Sequence, residues 1–176
     1  MDRERLEQGL MELPILQYEF INTEELMFSR NVRTICETEC PMYGKTWACP
    51  PGVGNVEECK ARCLGFREAI LITTMAEVSD IANIEETLAT RPEHEAITRQ
   101  VRDLIREQGL ETYVLSTEAC TYCKECTYPD APCRRPDEMF PCTESHAIVV
   151  TDIAEKYGIE FIMGNIVTWF SVIFYR

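Results

Sequence analysis

The chain has 176 residues, of which 45% are hydrophobic, and a formal net charge of −13. This length and apolar content suit one compact domain, so we expect a single domain over residues 1–176. The acidic balance argues against a nucleic-acid surface, which needs clustered lysine and arginine to neutralise phosphates. The apolar run 166–175 is shorter than the roughly 18 to 20 residues of a membrane helix, and the N-terminus lacks the apolar stretch of a signal peptide. We therefore expect a cytoplasmic protein without membrane contact.

The first half of the chain predicts two strands and two helices. Apolar and polar residues alternate over 15–21, which is typical of a strand. Asn22 then starts a capping-box pattern, so we expect a helix that ends near Ile35. Residues 56–64 predict a short helix, and the apolar run within 68–74 predicts a buried strand.

The second half continues the alternation of helices and strands. Residues 81–88 carry one apolar helical face, and Pro92 is well placed as the first residue of the next helix. A strand is expected over 112–116. The last elements are a helix over 151–157 and a β-hairpin over 159–175. The order β-α-β-α-β-α-β indicates an α/β fold, with α+β as the other possibility.

Four cysteines within fourteen residues are the strongest chemical signal in the chain. Cys120, Cys123 and Cys126 follow one another with two residues between neighbours, and Cys133 comes after a gap of six residues. Thiols at this spacing, followed by a more distant fourth, are typical of a chain wrapped around a cubane iron–sulfur cluster. Zinc ribbons normally use two separated pairs of cysteines and not a continuous triple. We therefore predict that these four residues ligate one [4Fe–4S] cluster, with zinc as the alternative.

A cysteine-rich loop also lies earlier in the chain, and three of its thiols are predicted metal ligands: Cys36, Cys40 and Cys49. Proline directly follows Cys40 and Cys49, which fixes the backbone where the chain turns away from a metal centre. The fourth ligand is open. Cys59 is the first choice because it follows soon after the loop, and Cys63 and Cys142 are the alternatives. A three-thiolate cluster with one open iron also fits this loop, as does a zinc site.

Other side chains near the two loops are candidates for supporting roles. Arg134 and Arg135 follow Cys133 and would offset the negative charge of a thiolate-ligated cluster; a surface turn is the other interpretation. His146 could ligate a metal or donate a hydrogen bond to a sulfur, although a single histidine is more often structural. His94 lies at the start of a charged helix and is expected to face solvent.

The residues around the cysteines form two longer motifs. The first, over 36–51, reads Cys-x3-Cys-Pro-x-Tyr-Gly-Lys-x-Trp-x-Cys-Pro-Pro, and the second, over 120–136, reads Cys-x2-Cys-x2-Cys-Thr-Tyr-Pro-Asp-Ala-Pro-Cys-Arg-x-Pro. Together they resemble a bacterial and archaeal family of predicted metal-binding proteins of unknown function, over about residues 36–158. The resemblance implies cysteine metal binding, in iron–sulfur form, in an intracellular protein typical of anaerobes, and it implies no particular reaction. Family members carry Gly-Ile-Asp-Val where this chain has Ala-Ile-Val-Val at 147–150, so we expect the turn before the last helix to differ.

Three functions follow from these patterns as hypotheses. The leading one is a cytoplasmic metal-binding domain, with cysteine loops at about 36–63 and 120–142, that carries two [4Fe–4S] clusters. It would act in electron transfer, or as a redox accessory to another enzyme, and dock to a protein redox partner. The second hypothesis is a zinc-stabilised interaction module without a redox role. The third is an enzyme that uses an open iron as a Lewis acid. No Ser/His/Asp or Cys/His pairing suggests an ordinary hydrolase.

Overall fold

The computed structural model describes residues 1–176, and its centre is a five-stranded antiparallel sheet. The strands are β1 (Gln17–Asn22), β2 (Glu68–Glu77), β3 (Thr112–Leu115), β4 (Ile162–Met163) and β5 (Ile166–Tyr175). They are ordered β1-β2-β5-β3, and β4 pairs with the start of β5. The two long central strands, β2 and β5, pair along their whole length, with Glu68 opposite Tyr175 at one end and Glu77 opposite Ile166 at the other. The predicted α/β class is confirmed, and the antiparallel pairing corresponds to its α+β form.

Five helices accompany the sheet: α1 (Arg3–Leu10), α2 (Arg30–Thr38), α3 (Val56–Leu64), α4 (Ile84–Arg106) and α5 (Val150–Tyr157). Four of them begin at a side chain that accepts a hydrogen bond from the backbone of the first turn: Asp2, Ser29, Asn55 and Asn83. Short 3-10 helices lie at Thr23–Glu25, Pro136–Glu138 and Glu144–His146. No helix has both the length and the apolar composition needed to cross a bilayer.

Hydrophobic side chains are buried on both faces of the sheet. On one face Phe170, Val172 and Phe174 of β5 pack with residues of α3 and α5. On the other face Ile173 of β5 packs with residues of α1 and α4, such as Leu6. Successive residues of a strand point to opposite faces, so β5 contributes to both cores. Each fully buried aliphatic or aromatic side chain adds about 1.5 to 3 kcal/mol to the hydrophobic term of folding.

The helix that the sequence predicts from Asn22 begins later in the structure. Thr23–Glu25 forms only a 3-10 turn, and α2 starts after Ser29. Phe28 forms an isolated antiparallel bridge with Ile148. This pairing holds the segment before α2 in an extended conformation, which local sequence signals do not reveal.

The two helices predicted around Pro92 are a single helix, α4. Pro92 lies inside it, at an exposed position. The helix is held along its length by packing against β5, and near its start the indole Nε1 of Trp169 donates to Thr90 Oγ1 at 2.8 Å. This packing outweighs the cost of about 3 kcal/mol that an interior proline imposes on a helix.

Most other elements agree with the prediction. α3, β2 and β3 lie close to their expected ranges, and the predicted hairpin is formed by β4 and β5. Gly158 ends α5 with a φ of 64°, in the left-handed region that glycine adopts without strain. The sequence analysis missed α1, which Asp2 caps and which buries Leu6 and Leu10 one turn apart.

Candidate metal centres

Four cysteines of the later loop line one small cavity. We call Cys120, Cys123, Cys126 and Cys133 the second cysteine group; their cavity measures about 20 Å³. Its opposite wall comes from the earlier loop, through Thr46, Trp47 and Ala48. The indole Nε1 of Trp47 donates to the Ala131 carbonyl at 2.9 Å, and the Trp47 ring meets Tyr128 edge-on at 4.9 Å between centroids. The two loops are thus packed against each other.

Arginines of α4 hold the second cysteine group in place. Arg91 is buried, and its guanidinium donates to the Ala119 carbonyl at 2.7 Å and to Glu95 at 2.8 Å. Its positive charge lowers the pKa of Cys120, but burial is the larger influence and raises that pKa overall. Farther along the helix, Arg99 pairs with Glu138 at 2.7 Å. These contacts fix both ends of the loop against a rigid helix.

The two arginines predicted to support the second cysteine group take different positions. Arg135 lines the small cavity together with the four cysteines. Arg134 donates to the Glu125 carbonyl and so closes the loop on itself. Both also line an open groove on the outer side of Cys123, which Lys124 shares. The outer rim of this group is therefore locally basic in an otherwise acidic chain.

A second set of four cysteines lines a larger cavity of about 490 Å³. We call this set the first cysteine group; it consists of Cys36, Cys40, Cys49 and Cys142. Cys36 lies on the buried side of α2, and Cys40 and Cys49 lie in the loop that follows. Cys142 comes from the chain that leaves the second loop. It is the residue that the sequence analysis considered only as an alternative ligand.

Backbone pairing next to β3 brings Cys142 to this cavity. Ser116 forms a parallel bridge with Cys142, with the Ser116 amide 2.8 Å from the Pro141 carbonyl and the Thr143 amide 3.1 Å from the Ser116 carbonyl. The chain then makes a 3-10 turn that Ala147 closes with a φ of 61°. This left-handed conformation favours glycine, the residue that the resemblance leads us to expect at that position.

The thiols of the first cysteine group influence one another. The Cys36 and Cys142 thiols lie close enough to interact, and this interaction lowers the pKa of Cys36 and, together with burial, raises the pKa of Cys142. Burial raises the pKa of Cys49, and the Thr46 hydroxyl partly offsets that rise. Cys36 is therefore the thiol of this set whose thiolate form the surroundings favour.

Cys59 and Cys63 do not reach either cavity. Both are fully buried on the inner side of α3, and Cys63 belongs to the hydrophobic core. The Cys59 sulfur lies 3.5 Å from the Val53 carbonyl oxygen and 3.7 Å from Arg33 Nη2. Burial raises the pKa of both thiols, that of Cys63 to about 12. The capping box at Asn55 fixes the start of α3, and its rotation turns these cysteines toward the core.

Arg33 is a buried cation beside the first cysteine group. Its side chain is almost inaccessible, with 3% of the residue exposed, and it forms no salt bridge with a carboxylate. The guanidinium instead donates to the carbonyls of Ser145, at 2.8 Å, and Gly54. Its charge lowers the pKa of Cys36 and opposes the rise in that of Cys59. A buried charge without a countercharge is costly unless an anion lies nearby.

His146 belongs to a hydrogen-bond network behind the first cysteine group. Its Nε2 lies 2.6 Å from the Tyr113 hydroxyl and 3.3 Å from an Arg62 nitrogen, and its Nδ1 lies 3.0 Å from Ser145 Oγ. Burial, together with the nearby arginines, lowers its pKa to about 3. Both ring nitrogens are engaged by side chains, and neither contacts a cysteine sulfur. The network positions the 3-10 turn that follows Cys142.

Neighbouring residues of the two loops face different cavities. In the earlier loop Ala48 lines the small cavity, whereas Cys49 lines the large one. In the later loop Ala119 lines the large cavity, whereas Cys120 lines the small one. The Cys120 thiol lies close enough to Cys49 to contribute to the raised pKa of Cys49. The two cysteine groups therefore share a wall that is built from two short stretches of chain.

Glu144 is a carboxyl group that the sequence analysis did not nominate. It lines the large cavity, and its Oε2 accepts a hydrogen bond from Thr143 Oγ1 at 3.0 Å. Burial raises its pKa, with a further contribution from Glu118. The signal available in the sequence was its position two residues after Cys142.

The family model described as predicted metal-binding protein (DUF2284) matches residues 19–175 of the chain. The chain belongs to this family. The match covers both cysteine groups and confirms the resemblance inferred from the two motifs. No curated protein and no solved structure gives a match. Within the structure, no three side chains of His, Cys, Asp or Glu converge at the spacing of a single metal ion; the cysteines of this family member instead surround cavities.

Proposed function

We propose that the protein carries two [4Fe–4S] clusters, one on each cysteine group, and that it transfers electrons to or from a protein partner. The observation that carries the proposal is the presence of two adjacent cavities, each lined by four cysteines. Cysteine thiolates are the usual ligands of such clusters, which supply one-electron chemistry when they are bound. The four sulfurs of the first cysteine group surround a space of about 490 Å³, which suits a bulky cluster better than a single ion.

The proposal assigns Cys142, and not Cys59, as the fourth ligand of the first cluster. Cys142 lies on the same cavity as Cys36, Cys40 and Cys49, and it is close enough to Cys36 to lower the pKa of that thiol. Cys59 points toward Arg33 and the backbone of the chain before α3. With Cys142 included, each cluster has four cysteines available, which favours electron transfer over direct coordination of a substrate to iron.

The charges around both sites support an anionic centre. A cluster held by four thiolates is negative, and positive groups nearby lower the free energy of the reduced form. Arg33 supplies such a charge next to Cys36 without a carboxylate of its own. Arg91 lies close to Cys120, and Arg135 lines the second cavity. A zinc ion held by four thiolates is also an anionic centre, so the spacing of the cysteines, and not these charges, favours iron–sulfur clusters over zinc.

The second cysteine group is the proposed point of contact with the partner. Cys123 opens onto a groove in which Lys124, Arg134 and Arg135 outnumber the single acidic residue, Glu125. Complementary charges speed the encounter of two proteins and orient them. We therefore expect the partner to present an acidic surface to this groove, while the remaining acidic surface of the chain disfavours other orientations.

Anaerobic purification followed by iron, sulfide and zinc analysis tests the proposal. We expect a brown protein with about eight iron and about eight sulfide per chain, as two cubanes require. Cys142→Ser should remove about half of the iron and of the charge-transfer absorbance, whereas Cys59→Ser should retain both. Colourless protein with stoichiometric zinc would contradict the iron–sulfur proposal. Loss of iron in Cys59→Ser together with full iron in Cys142→Ser would contradict the ligand assignment alone.

A further inference from the structure

The cavity of the first cysteine group extends well beyond its four thiols. It measures about 490 Å³, compared with about 20 Å³ for the second cysteine group, although each has four cysteines. The additional space extends away from the thiols. Its walls there come from Thr87 of α4, from Phe161 and Ile162, and from residues 167–170 of β5. A volume of this size lies in the range of small-molecule sites, which is roughly 300 to 1,000 Å³.

The side chains that line this space restrict the chemistry of a ligand. Fourteen of the twenty lining residues are hydrophobic, and none is lysine, arginine or histidine. Aromatic rings contribute on several sides: Tyr43, Phe161, Trp169 and Phe170. The charged residues on the walls are Glu118 and Glu144. An anionic ligand would find no countercharge and two carboxyl groups, so phosphates, sulfonates and carboxylates are disfavoured.

Three buried hydroxyl groups on the cavity walls lack hydrogen-bond partners. They belong to Thr87 on α4, Thr117 after β3, and Thr168 on β5. Buried polar atoms in folded proteins nearly always have a partner, so each unpaired one requires an explanation. Three such groups come from three separate elements that all line one cavity, and a rotation of each side chain about χ1 would present its hydroxyl to a molecule inside it. A hydroxyl can donate to a carbonyl oxygen or exchange a hydrogen bond with another hydroxyl.

We propose that this cavity binds a neutral, mainly apolar organic molecule that carries carbonyl or hydroxyl oxygens. The apolar walls bury its carbon skeleton, and the threonine hydroxyls bond its oxygens. The site lies beside the first cysteine group, so a bound molecule would be adjacent to Cys36 and Cys142. The inference goes beyond the proposed electron transfer and does not depend on which metal the cysteines hold.

Equilibrium dialysis of the protein as purified against three naphthalene probes tests the inference. The neutral ketone prodan matches the proposed ligand class, anilinonaphthalene sulfonate is its anionic counterpart, and naphthyl trimethylammonium is the cationic one. We expect one saturable site per chain for prodan, and binding of the sulfonate weaker by about tenfold or more because its charge would be desolvated without a countercharge. The cationic probe tests whether Glu118 and Glu144 instead select a positively charged ligand. Equal or tighter binding of either charged probe, or no saturable prodan site, would overturn the proposal.

Substitutions on β5 then locate the site. Val167→Trp fills the cavity and should weaken prodan binding by about tenfold or more, because the larger side chain occupies the ligand volume. The matched control is Ile166→Trp, since Ile166 is the preceding residue and does not line the cavity. Prodan binding that is unchanged in Val167→Trp, or equally weakened in Ile166→Trp, would place the probe elsewhere and contradict the assignment.

Replacing an unpaired hydroxyl gives a second test that does not disturb the fold. Thr168→Val keeps the shape of the side chain and removes a buried hydroxyl without a partner, so the variant should fold at least as well as the wild type. Loss of one neutral hydrogen bond should weaken prodan binding by about fivefold. Unchanged prodan affinity in both Thr168→Val and Thr117→Val would mean that the ligand forms no hydrogen bond with these hydroxyls. That result would overturn the proposal that the ligand carries carbonyl or hydroxyl oxygens. Iron analysis of the same samples separates this outcome from a failure of the cluster proposal.

Discussion

The Nε2 atom of His94 lies 2.8 Å from the Ser171 hydroxyl, in the interface between α4 and β5. The other ring nitrogen, Nδ1, lies 2.9 Å from Thr74 Oγ1, and the Thr98 hydroxyl joins the group at 3.0 Å from Ser171 Oγ. Burial lowers the pKa of His94 from 6.5 to about 4. A neutral histidine thus completes a hydrogen-bond network that joins α4 to the neighbouring strands β2 and β5.

Because of this network, we predict that protonation of His94 destabilises the fold at mildly acidic pH. The unfolded state binds the proton near pH 6.5 and the folded state only near pH 4, so stability falls as the pH decreases through that range. Between pH 7 and pH 5 the loss should be about 2 kcal/mol. The measurement is chemical denaturation of the wild type and of His94→Gln at both pH values. The difference in unfolding free energy between the two proteins should shrink at pH 5, and a constant difference would contradict the prediction.

Removing the buried charge of Arg33 should affect both stability and redox potential. Arg33→Gln loses charged hydrogen bonds to the Ser145 and Gly54 carbonyls, which should cost about 3 kcal/mol of unfolding free energy. If the first cysteine group holds a cluster, loss of a nearby positive charge should also make its reduction potential more negative. Denaturation and an electrochemical titration followed by electron paramagnetic resonance measure the two effects.

The control for Arg33 is Arg30→Gln, one turn earlier on α2. Arg30 is exposed, and its ion pair with Glu57 spans 3.7 Å at the surface. Exposed pairs of this kind contribute little, so the change in unfolding free energy should stay within about 0.5 kcal/mol and the potential should not move. Equal effects of the two substitutions would show that the buried position of Arg33 has no special role.

Tyr113→Phe should weaken the support for the turn that follows Cys142. The substitution removes the hydroxyl that lies 2.6 Å from the buried Nε2 of His146, and the expected cost is about 2 kcal/mol of unfolding free energy. Tyr18→Phe is the matched control, because the Tyr18 hydroxyl makes only a 3.4 Å contact with Glu7. Thermal and chemical denaturation provide the comparison, and a loss in Tyr18→Phe as large as that in Tyr113→Phe would refute the assignment.

Replacing Pro92 with alanine should stabilise the protein. Proline at this position cannot donate a hydrogen bond to the preceding turn of α4, and its exposed side chain contributes no core packing. Pro92→Ala should therefore raise the unfolding free energy by up to about 3 kcal/mol. Glu93→Ala, at the next exposed position, controls for the general effect of alanine in the helix. A lower unfolding free energy in Pro92→Ala would indicate that the proline shapes α4 in a way the packing requires.

The sequence predicted those elements and residues whose signals are local. The two-residue spacing of Cys120, Cys123 and Cys126 suggested a common site, and in the structure these residues line one cavity with Cys133. Likewise, the stop signal at Gly158 gave the end of α5. In such cases a few neighbouring residues contain the information, so no knowledge of the tertiary fold is needed.

Features that depend on distant contacts were missed. Pro92 suggested the start of a helix, so His94 was expected to face solvent. That expectation is wrong. Packing against β5 makes α4 continuous through Pro92 and leaves only 1% of His94 exposed. The position of Cys142 next to Cys36 follows from a bridge to Ser116 that has no local signature. The direction of Cys59 likewise depends on how α3 is rotated against the core.

The shared wall between the cysteine groups limits how the two loops can vary. Residues 46–48 line the small cavity and Cys49 and Pro50 line the large one, whereas residues 117–119 line the large cavity and Cys120 lines the small one. Each stretch therefore crosses the shared wall at one point, next to a cysteine. Inserting or deleting one residue before either cysteine would shift that crossing point and displace residues of both cavities at once, whereas substitution at a neighbouring position leaves the crossing point in place. The length of each loop is therefore more strictly constrained than its sequence. Inserting or deleting a single residue in either loop would disable both sites together.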